Sequence, residues 1–235
     1  IASMRATEAV MLSGALGLAA LADRQELGEL DEAESAYLRV ATNLSKMRSC
    51  QHSHRLILTG IETLGGNGAI ESFSILPRLL RDNVVYENWE GTHNTLIAQT
   101  VRDFAKHGMH QVFFDALSRA VAEVSVEGPM AELSGCLEQS IGETRAAIEA
   151  NSSHTDPGVA SLMLRPHLEV AADLYFATSY LLDLAGPRAE PARAEDIACL
   201  RWFLRAHGQP ASQHGDGYVQ EIELLSGVGS ESSSV

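Results

Sequence analysis

The sequence predicts an all-α protein: an up-and-down helical bundle followed by a helical C-terminal extension. Three observations predict it. Hydrophobic residues make up 45% of the 235 residues but aromatic residues only 6%, and alanine and leucine, which favour helix over strand, dominate the apolar set. Apolar residues recur every three to four positions over long stretches. Glycine and proline pairs separate these stretches, as expected of helix boundaries.

The first helix is expected over residues 3–24. Its longest apolar run, residues 9–22 with Ser13 inside it, is too short to span a bilayer, and neither a basic segment nor a cleavage site marks a signal peptide. We therefore expect a buried core helix. Because the chain begins at Ile1 within this pattern, we expect a fragment or a processed chain.

Two further long helices complete the predicted bundle. The second should run over residues 32–64, with Asp31 as its N-cap, and the third should follow Thr92, another good N-cap, to about residue 106. A glycine-rich breaker over residues 65–68 and a segment over residues 72–84 lie between them.

The sequence pattern changes after Gly108, where a helical extension is predicted. Its helices are expected at residues 110–126, 130–150, 158–185 and 192–206, separated by Gly-Pro and Asp-Pro pairs. We accordingly divide the chain into the bundle over residues 1–107, the extension over 108–208, and a flexible Gly- and Ser-rich tail over 209–235.

Charge and cysteine content exclude several function classes. The formal charge of −14 argues against a nucleic-acid partner and against an anionic membrane surface, and it suits a cytoplasmic protein. The chain has three cysteines, far apart and without metal-ligand spacing, so reduced thiols are expected. His52 and His54 point to different sides of a helix, and we expect no metal site.

The region most informative about chemistry covers residues 62–94. Glycine-rich turns and helix N-termini expose backbone N–H groups that suit phosphate or flavin oxygens. Glu90, between Trp89 and Gly91, would become a stronger base if burial raised its pKa. From the residues alone, a helix C-cap at Gly65-Gly66 and an ordinary loop acid explain the same features more simply.

Three ordered motifs change that balance. They are Glu62-Thr63-Leu64-Gly65-Gly66-Asn67-Gly68, then Leu76-Pro77-Arg78-Leu79-Leu80-Arg81-Asp82, then Trp89-Glu90-Gly91-Thr92. In order and spacing they resemble the signature of the acyl-CoA dehydrogenase family, and Lys46 also matches. The resemblance covers about residues 5–105. It implies that family's C-terminal bundle without its first helix. Within the family, Glu62, Trp89 and Asn94 resemble the residues of the branch that includes the alkylation-response homologues.

The resemblance implies an FAD-dependent dehydrogenase acting on an acyl-CoA thioester. Glu90 would be the base that removes the α-proton, and Gly91 would lie beside the thioester. Thr92 and Asn94 would contact the flavin. Further implied cofactor-binding residues are Glu62, Gly65 and Gly66, which would reach the FAD of a neighbouring subunit. A homo-oligomer (dimer or tetramer) is therefore implied, with an electron-transfer flavoprotein as a candidate electron acceptor.

Some features depart from the family pattern. Ala69 replaces an aromatic residue, and His93 stands where small residues are common. The family's N-terminal and middle domains do not appear here, so this chain alone should bind FAD poorly. Two alternatives stay open: an acyl-CoA oxidase-like flavoenzyme, or a non-catalytic helical subunit that completes a partner's flavin site.

Other candidate groups have simpler explanations. Cys50 and His54 could form a thiol–imidazole dyad, but a packed cysteine is the simpler expectation. Arg78 and Arg81 could bind an anion or form salt bridges, and the sequence does not decide between these.

Overall fold

The computed structural model describes residues 1–124, 127–152, 157–186, 192–207 and 224–225. Within them it contains eight α-helices and no strand, which confirms the all-α prediction. The helices are α1 (Ala2–Glu26), α2 (Glu32–Thr63), α3 (Leu76–Asn88), α4 (His93–His107), α5 (Met109–Glu123), α6 (Pro129–Asn151), α7 (Pro157–Ala185) and α8 (Ala194–His207). A short 3₁₀ turn, Gly65–Ala69, follows α2.

The predicted helix starts are explained by their caps. The Asp31 side chain accepts a hydrogen bond from the Glu34 backbone N–H at 2.7 Å, and the Glu34 carboxylate accepts one from the Asp31 N–H at 3.1 Å. This reciprocal capping box fixes the start of α2. Thr92 caps α4 by accepting from the Thr95 N–H. Gly108, in the left-handed conformation at φ 61°, ends α4 and leads directly into α5.

Helix α3 is more regular than the sequence indicates. Within the segment predicted over residues 72–84, Leu76–Asn88 forms a helix with Pro77 in its first turn, where a missing N–H costs nothing. α3 runs antiparallel to α2. Its start lies beside Gly60, where Leu76 packs, and further along Asn83 Nδ2 donates to the Cys50 carbonyl at 3.2 Å.

Helix α1 differs from the expected short apolar run. It has 25 residues and is, among the described residues, the one helix long and apolar enough to cross a membrane by length and composition, although only 22% of that window is buried. The expectation of a run too short to span was therefore wrong on length. Burial is also less complete than predicted, since Leu12 and Leu16 are 51% and 62% exposed.

The core is organised around α7, which packs against α1, α2, α4, α5, α6 and α8. One cluster of buried side chains includes residues from every α-helix except α3. α7 approaches α1 closely at Gly14, whose carbonyl accepts a hydrogen bond from Tyr175 Oη at 2.7 Å. The same helix thus contacts both the predicted bundle and the predicted extension. The boundary between residues 107 and 108 stays a prediction.

The predicted tail over residues 209–235 lies outside the described residues, apart from Leu224 and Leu225. Leu225 is buried against the core.

Candidate active site

The loop that carries Glu90 connects α3 to the N-terminus of α4. The last α3 hydrogen bond runs from the Trp89 N–H to the Val85 carbonyl at 2.9 Å. Glu90 then adopts φ 56°, and it is the one non-glycine residue with positive φ among those described. Gly91 follows at φ 114°. For an L-residue such as Glu90 this conformation costs about 1–2 kcal/mol, so surrounding contacts must hold it.

Lys46 of α2 supplies such a contact. Its Nζ donates to the Gly91 carbonyl at 2.6 Å and lies 3.4 Å from the Glu87 carbonyl. The Glu87 side chain is also held, because its Oε1 lies 2.7 Å from His54 Nδ1 and accepts from Asn83 Nδ2 at 2.8 Å. The end of α3 and the Glu90 loop are therefore docked on α2 by several polar contacts.

The side chains at the tip of this loop face away from the described residues. Trp89 is 57% exposed and Glu90 is exposed. The burial that would make Glu90 a stronger base is not provided by the described residues. A surface outside them would be needed to exclude water from the carboxylate.

The start of α4 receives a contact that the sequence did not reveal. The Arg165 guanidinium of α7 donates to Asn94 Oδ1. Beside Asn94, His93 Nε2 is buried without a hydrogen-bond partner. Burial lowers the pKa of His93, Glu87 opposes the shift, and Lys46 and Arg165 add to it. Arg165 lies 71 residues from Asn94 in sequence, so no local signal could have paired them.

The predicted glycine turn lies at the other end of α3. Glu62 is sixteen positions after Lys46 on α2, which corresponds to about 24 Å at 1.5 Å per residue. Within one chain, Glu62, Gly65 and Gly66 are thus well separated from the Glu90 loop. Gly65 has φ 60°, and an added Cβ at Gly65 or Gly66 would meet nothing within 4 Å. The backbone of this turn is open to close approach.

An apolar surface surrounds both ends of α3. Its exposed large side chains belong to the end of α2, the 3₁₀ turn with the segment after it, and α3 with the loop: Leu58, Leu64, Ile70, Phe73, Ile75, Leu79, Val84, Val85, Tyr86 and Trp89. So many exposed apolar side chains around one helix are typical of an interaction surface. We call it the α3 surface.

A separate buried cluster joins α2, α7 and α8. Asp173 accepts hydrogen bonds from Arg48, and its Oδ1 lies 2.6 Å from His52 Nε2. Burial alone would raise the pKa of Asp173, but the hydrogen bonds from His52 and Arg48 outweigh it and lower that pKa. His207 completes a group of three residues whose geometry could hold a metal ion. Because Arg48 already contacts both Asp173 oxygens, we assign the cluster a structural role.

The structure shows the contacts of two further pairs of candidate residues, Cys50 with His54 and Arg78 with Arg81. His54 bonds Glu87, and burial raises the pKa of the Cys50 thiol, so this pair lacks the features of an activated dyad. Arg78 and Arg81 form exposed ion pairs with Asp82 and Glu71 respectively.

Comparison with known proteins bears on this geometry. Residues 1–104 match the family model described as acyl-CoA dehydrogenase, C-terminal domain. We call these matched residues the acyl-CoA dehydrogenase region. The acyl-CoA dehydrogenase region therefore contains α1 to α3 and nearly all of α4, together with all the residues of the predicted site.

Two curated relatives with acyl-CoA dehydrogenase names are similar to part of this chain. The chain is 36% identical over 80 residues to acyl-CoA dehydrogenase family member 11 of Caenorhabditis elegans, which covers 34% of the chain and 13% of the relative. It is 33% identical over 94 residues to the putative acyl-CoA dehydrogenase AidB of Escherichia coli, which covers 40% of the chain and 17% of AidB. The matches thus span less than a fifth of either relative.

A solved structure extends the likeness in fold. ACDH-11 of C. elegans, crystallised in complex with C11-CoA, superposes with a TM-score of 0.74 at 20% sequence identity. The match covers 94% of this chain and 38% of the ACDH-11 chain. The helices after the acyl-CoA dehydrogenase region therefore share this fold as well.

Proposed function

We propose that this chain is the C-terminal part of an FAD-dependent acyl-CoA dehydrogenase in which Glu90 is the catalytic base. The observation that carries the proposal is the conformation of Glu90. A glutamate in the left-handed region is uncommon, and such strain is concentrated at functional sites. It occurs within the acyl-CoA dehydrogenase region, at the position of the motif carboxylate, on a loop that leaves the side chain exposed.

The proposed chemistry removes two hydrogens from the acyl chain. The Glu90 carboxylate accepts the α-proton, and the electrons of that C–H bond form the α,β-double bond as hydride leaves the β-carbon. When bound, FAD supplies the acceptor for that hydride. Gly91, without a side chain, lets the thioester lie close to the backbone beside Glu90. The product is the 2-enoyl-CoA.

The residues of this chain fit a flavin in two places. Thr92 and Asn94 stand at the start of α4, and a helix N-terminus is a position at which backbone N–H groups can donate to anionic oxygens. At the other end of α3, Gly65 and Gly66 leave open space, and Glu62 is exposed beside them. Because these places lie about 24 Å apart along α2, one flavin would meet them from two different subunits.

The remaining partners follow from this proposal. The α3 surface would be covered by the rest of the enzyme and by a second subunit, which gives a homo-oligomer that shares FAD sites. An acyl-CoA is the proposed substrate, and an electron-transfer flavoprotein is the proposed electron acceptor. We also propose a cytoplasmic location, because the dispersed cysteines suit a reducing compartment.

The test is Glu90→Gln in the flavin-loaded enzyme that carries this chain. The amide keeps the size of the side chain but cannot accept the α-proton, so FAD should remain bound while its reduction by acyl-CoA falls by at least about a hundredfold. Glu29→Gln, in the exposed turn before α2, is the matched control. Unchanged flavin reduction in Glu90→Gln would move the base elsewhere.

The same preparation separates the alternatives. Rapid oxygen consumption by the reduced enzyme would favour an acyl-CoA oxidase. Flavin binding that appears only after a partner chain is added would favour a helical subunit that completes the partner's site.

A further inference from the structure

We propose that Lys46 is a positioning residue that holds Glu90 in its left-handed conformation. This inference rests on the proposed function for its catalytic consequence, but its structural part stands on the chain alone. Lys46 does not reach substrate or cofactor in this scheme. It acts through the backbone of the loop that carries Glu90.

Regular helical hydrogen bonding stops on either side of Glu90. The regular backbone bonding of α3 ends with the Trp89 N–H, and that of α4 begins with the Leu96 N–H donating to the Thr92 carbonyl. Among the described residues, neither Glu90 nor Gly91 takes part in a backbone–backbone hydrogen bond. The conformation of Glu90 is thus not fixed by helical bonding on either side.

Lys46 contacts the backbone on both sides of Glu90. Its ammonium donates to the Gly91 carbonyl at 2.6 Å, a distance typical of a strong charge-assisted hydrogen bond. It also lies 3.4 Å from the Glu87 carbonyl, one of the carbonyls left free at the end of α3. The negative end of the α3 helix dipole also stabilises a cation at this position. One side chain therefore fixes the loop on both sides of Glu90.

Helix α2 holds Lys46 in place. Lys46 lies in the middle of the 32-residue helix α2, between buried neighbours such as Leu44 and Met47. Among the described residues, the hydrogen bonds of the Lys46 ammonium go to the Gly91 and Glu87 carbonyls. A donor held on a rigid helix is a suitable support for the strained backbone at Glu90.

The chain offers a matched control, since Lys46 and Lys106 are its two lysines. Lys106 is exposed in the last turn of α4. The chain also offers a fluorescent reporter of the Glu90 loop, because Trp89 adjoins Glu90. The chain has two tryptophans, and the other one is Trp202. In a Trp202→Phe background, the fluorescence anisotropy of Trp89 reports the order of the loop.

The experiment compares Lys46→Met, Lys46→Arg and Lys106→Met in that background. In the 235-residue chain, Lys46→Met should lower the Trp89 anisotropy, while Lys46→Arg should restore it and Lys106→Met should leave it unchanged. In the flavin-loaded enzyme, Lys46→Met should lower kcat by at least about tenfold with little change in KM, because the base is misplaced while binding is kept. Lys46→Gln replaces Lys46→Met if that variant does not fold, as judged by helical circular dichroism.

Each outcome decides a different part. Unchanged Trp89 anisotropy in Lys46→Met would overturn the tether, whatever the activity. A lower anisotropy with unchanged kcat would overturn the positioning role. If the unmutated enzyme shows no acyl-CoA-dependent flavin reduction, the proposed function fails, but a loss of anisotropy that Lys46→Arg restores still supports the tether.

Discussion

Arg48 and Asp173 form a buried ion pair that joins the acyl-CoA dehydrogenase region to the helices after it. Arg48 Nε lies 3.0 Å and 2.9 Å from the two carboxylate oxygens, and Nη2 donates to Oδ2 at 2.6 Å. The two side chains are 8% and 1% exposed. Because α7 is the centre of the core, this pair fixes α2 against the helix on which most of the fold packs.

Replacing Asp173 by asparagine should destabilise the protein strongly. Arg48 would keep its charge in a buried place without its main partner, and breaking such a pair typically costs about 3–5 kcal/mol. We expect about 3 kcal/mol, at the lower end, because Glu169 lies 3.5 Å from Arg48 and partly compensates. Urea unfolding followed by circular dichroism measures the loss.

The control for this prediction is Asp115→Asn. Asp115 pairs with Arg145 on the surface, where its side chain is 55% exposed, so the loss should stay below about 1 kcal/mol. Equal losses in Asp173→Asn and Asp115→Asn would contradict the assigned role of the buried pair.

His207 makes stability depend on pH. Burial lowers the pKa of its imidazole to about 4, with His52, Arg48 and Arg55 adding to the shift and Asp173 opposing it. An unfolded histidine has a pKa near 6.5, so between these values the unfolded chain binds more protons than the folded one. Stability should therefore fall as the pH drops from about 6.5 towards 4, by about 1.4 kcal/mol per unit of pKa difference.

Unfolding free energies measured across that pH range test this linkage. His207→Gln should flatten the dependence, because the titrating group is gone. His107→Gln, at the exposed end of α4, should leave it as in the parent. A dependence that survives His207→Gln unchanged would assign the effect to another group.

The sequence predicted the helices well where local chemistry decides them. Asp31 and Thr92 begin helices because their side chains replace missing backbone acceptors, and Gly108 ends one because it adopts the left-handed conformation without strain. α3 was harder to predict. Its apolar residues Leu76, Leu79, Leu80 and Val84 do recur at helical spacing. The segment is short and follows a glycine-rich breaker, which favoured a connection between two long helices.

The candidate site was predictable only in part. The motif placed Glu90 on a loop before a capped helix, and the structure has such a loop. The contacts of Lys46 with Gly91 and of Arg165 with Asn94 depend on how distant helices pack, and no local pattern encodes that. The strain at Glu90 was likewise invisible, because glutamate gives no signal for positive φ.

Gly68 is the glycine of the turn that stability requires. An added Cβ there would overlap the backbone carbonyl of Ile61, which cannot move without disturbing the end of α2. Gly68→Ala should therefore cost about 1–3 kcal/mol, as forced overpacking does. Thermal or urea unfolding measures it, and a variant as stable as the parent would contradict this packing.

Gly66, in the same turn, allows a test of cofactor approach without a change in packing. Its added Cβ would meet nothing within 4 Å, and its φ is not positive, so Gly66→Ala should change stability by less than about 0.5 kcal/mol. If Gly66 is a place where a flavin from a neighbouring subunit approaches the backbone, the new methyl group would occupy that space. We therefore expect Gly66→Ala in the flavin-loaded oligomer to release FAD more readily on dilution. Gly135→Ala, another glycine with open space around it but in α6, should retain FAD as the parent does. Equal retention in the two variants would place the flavin away from the turn.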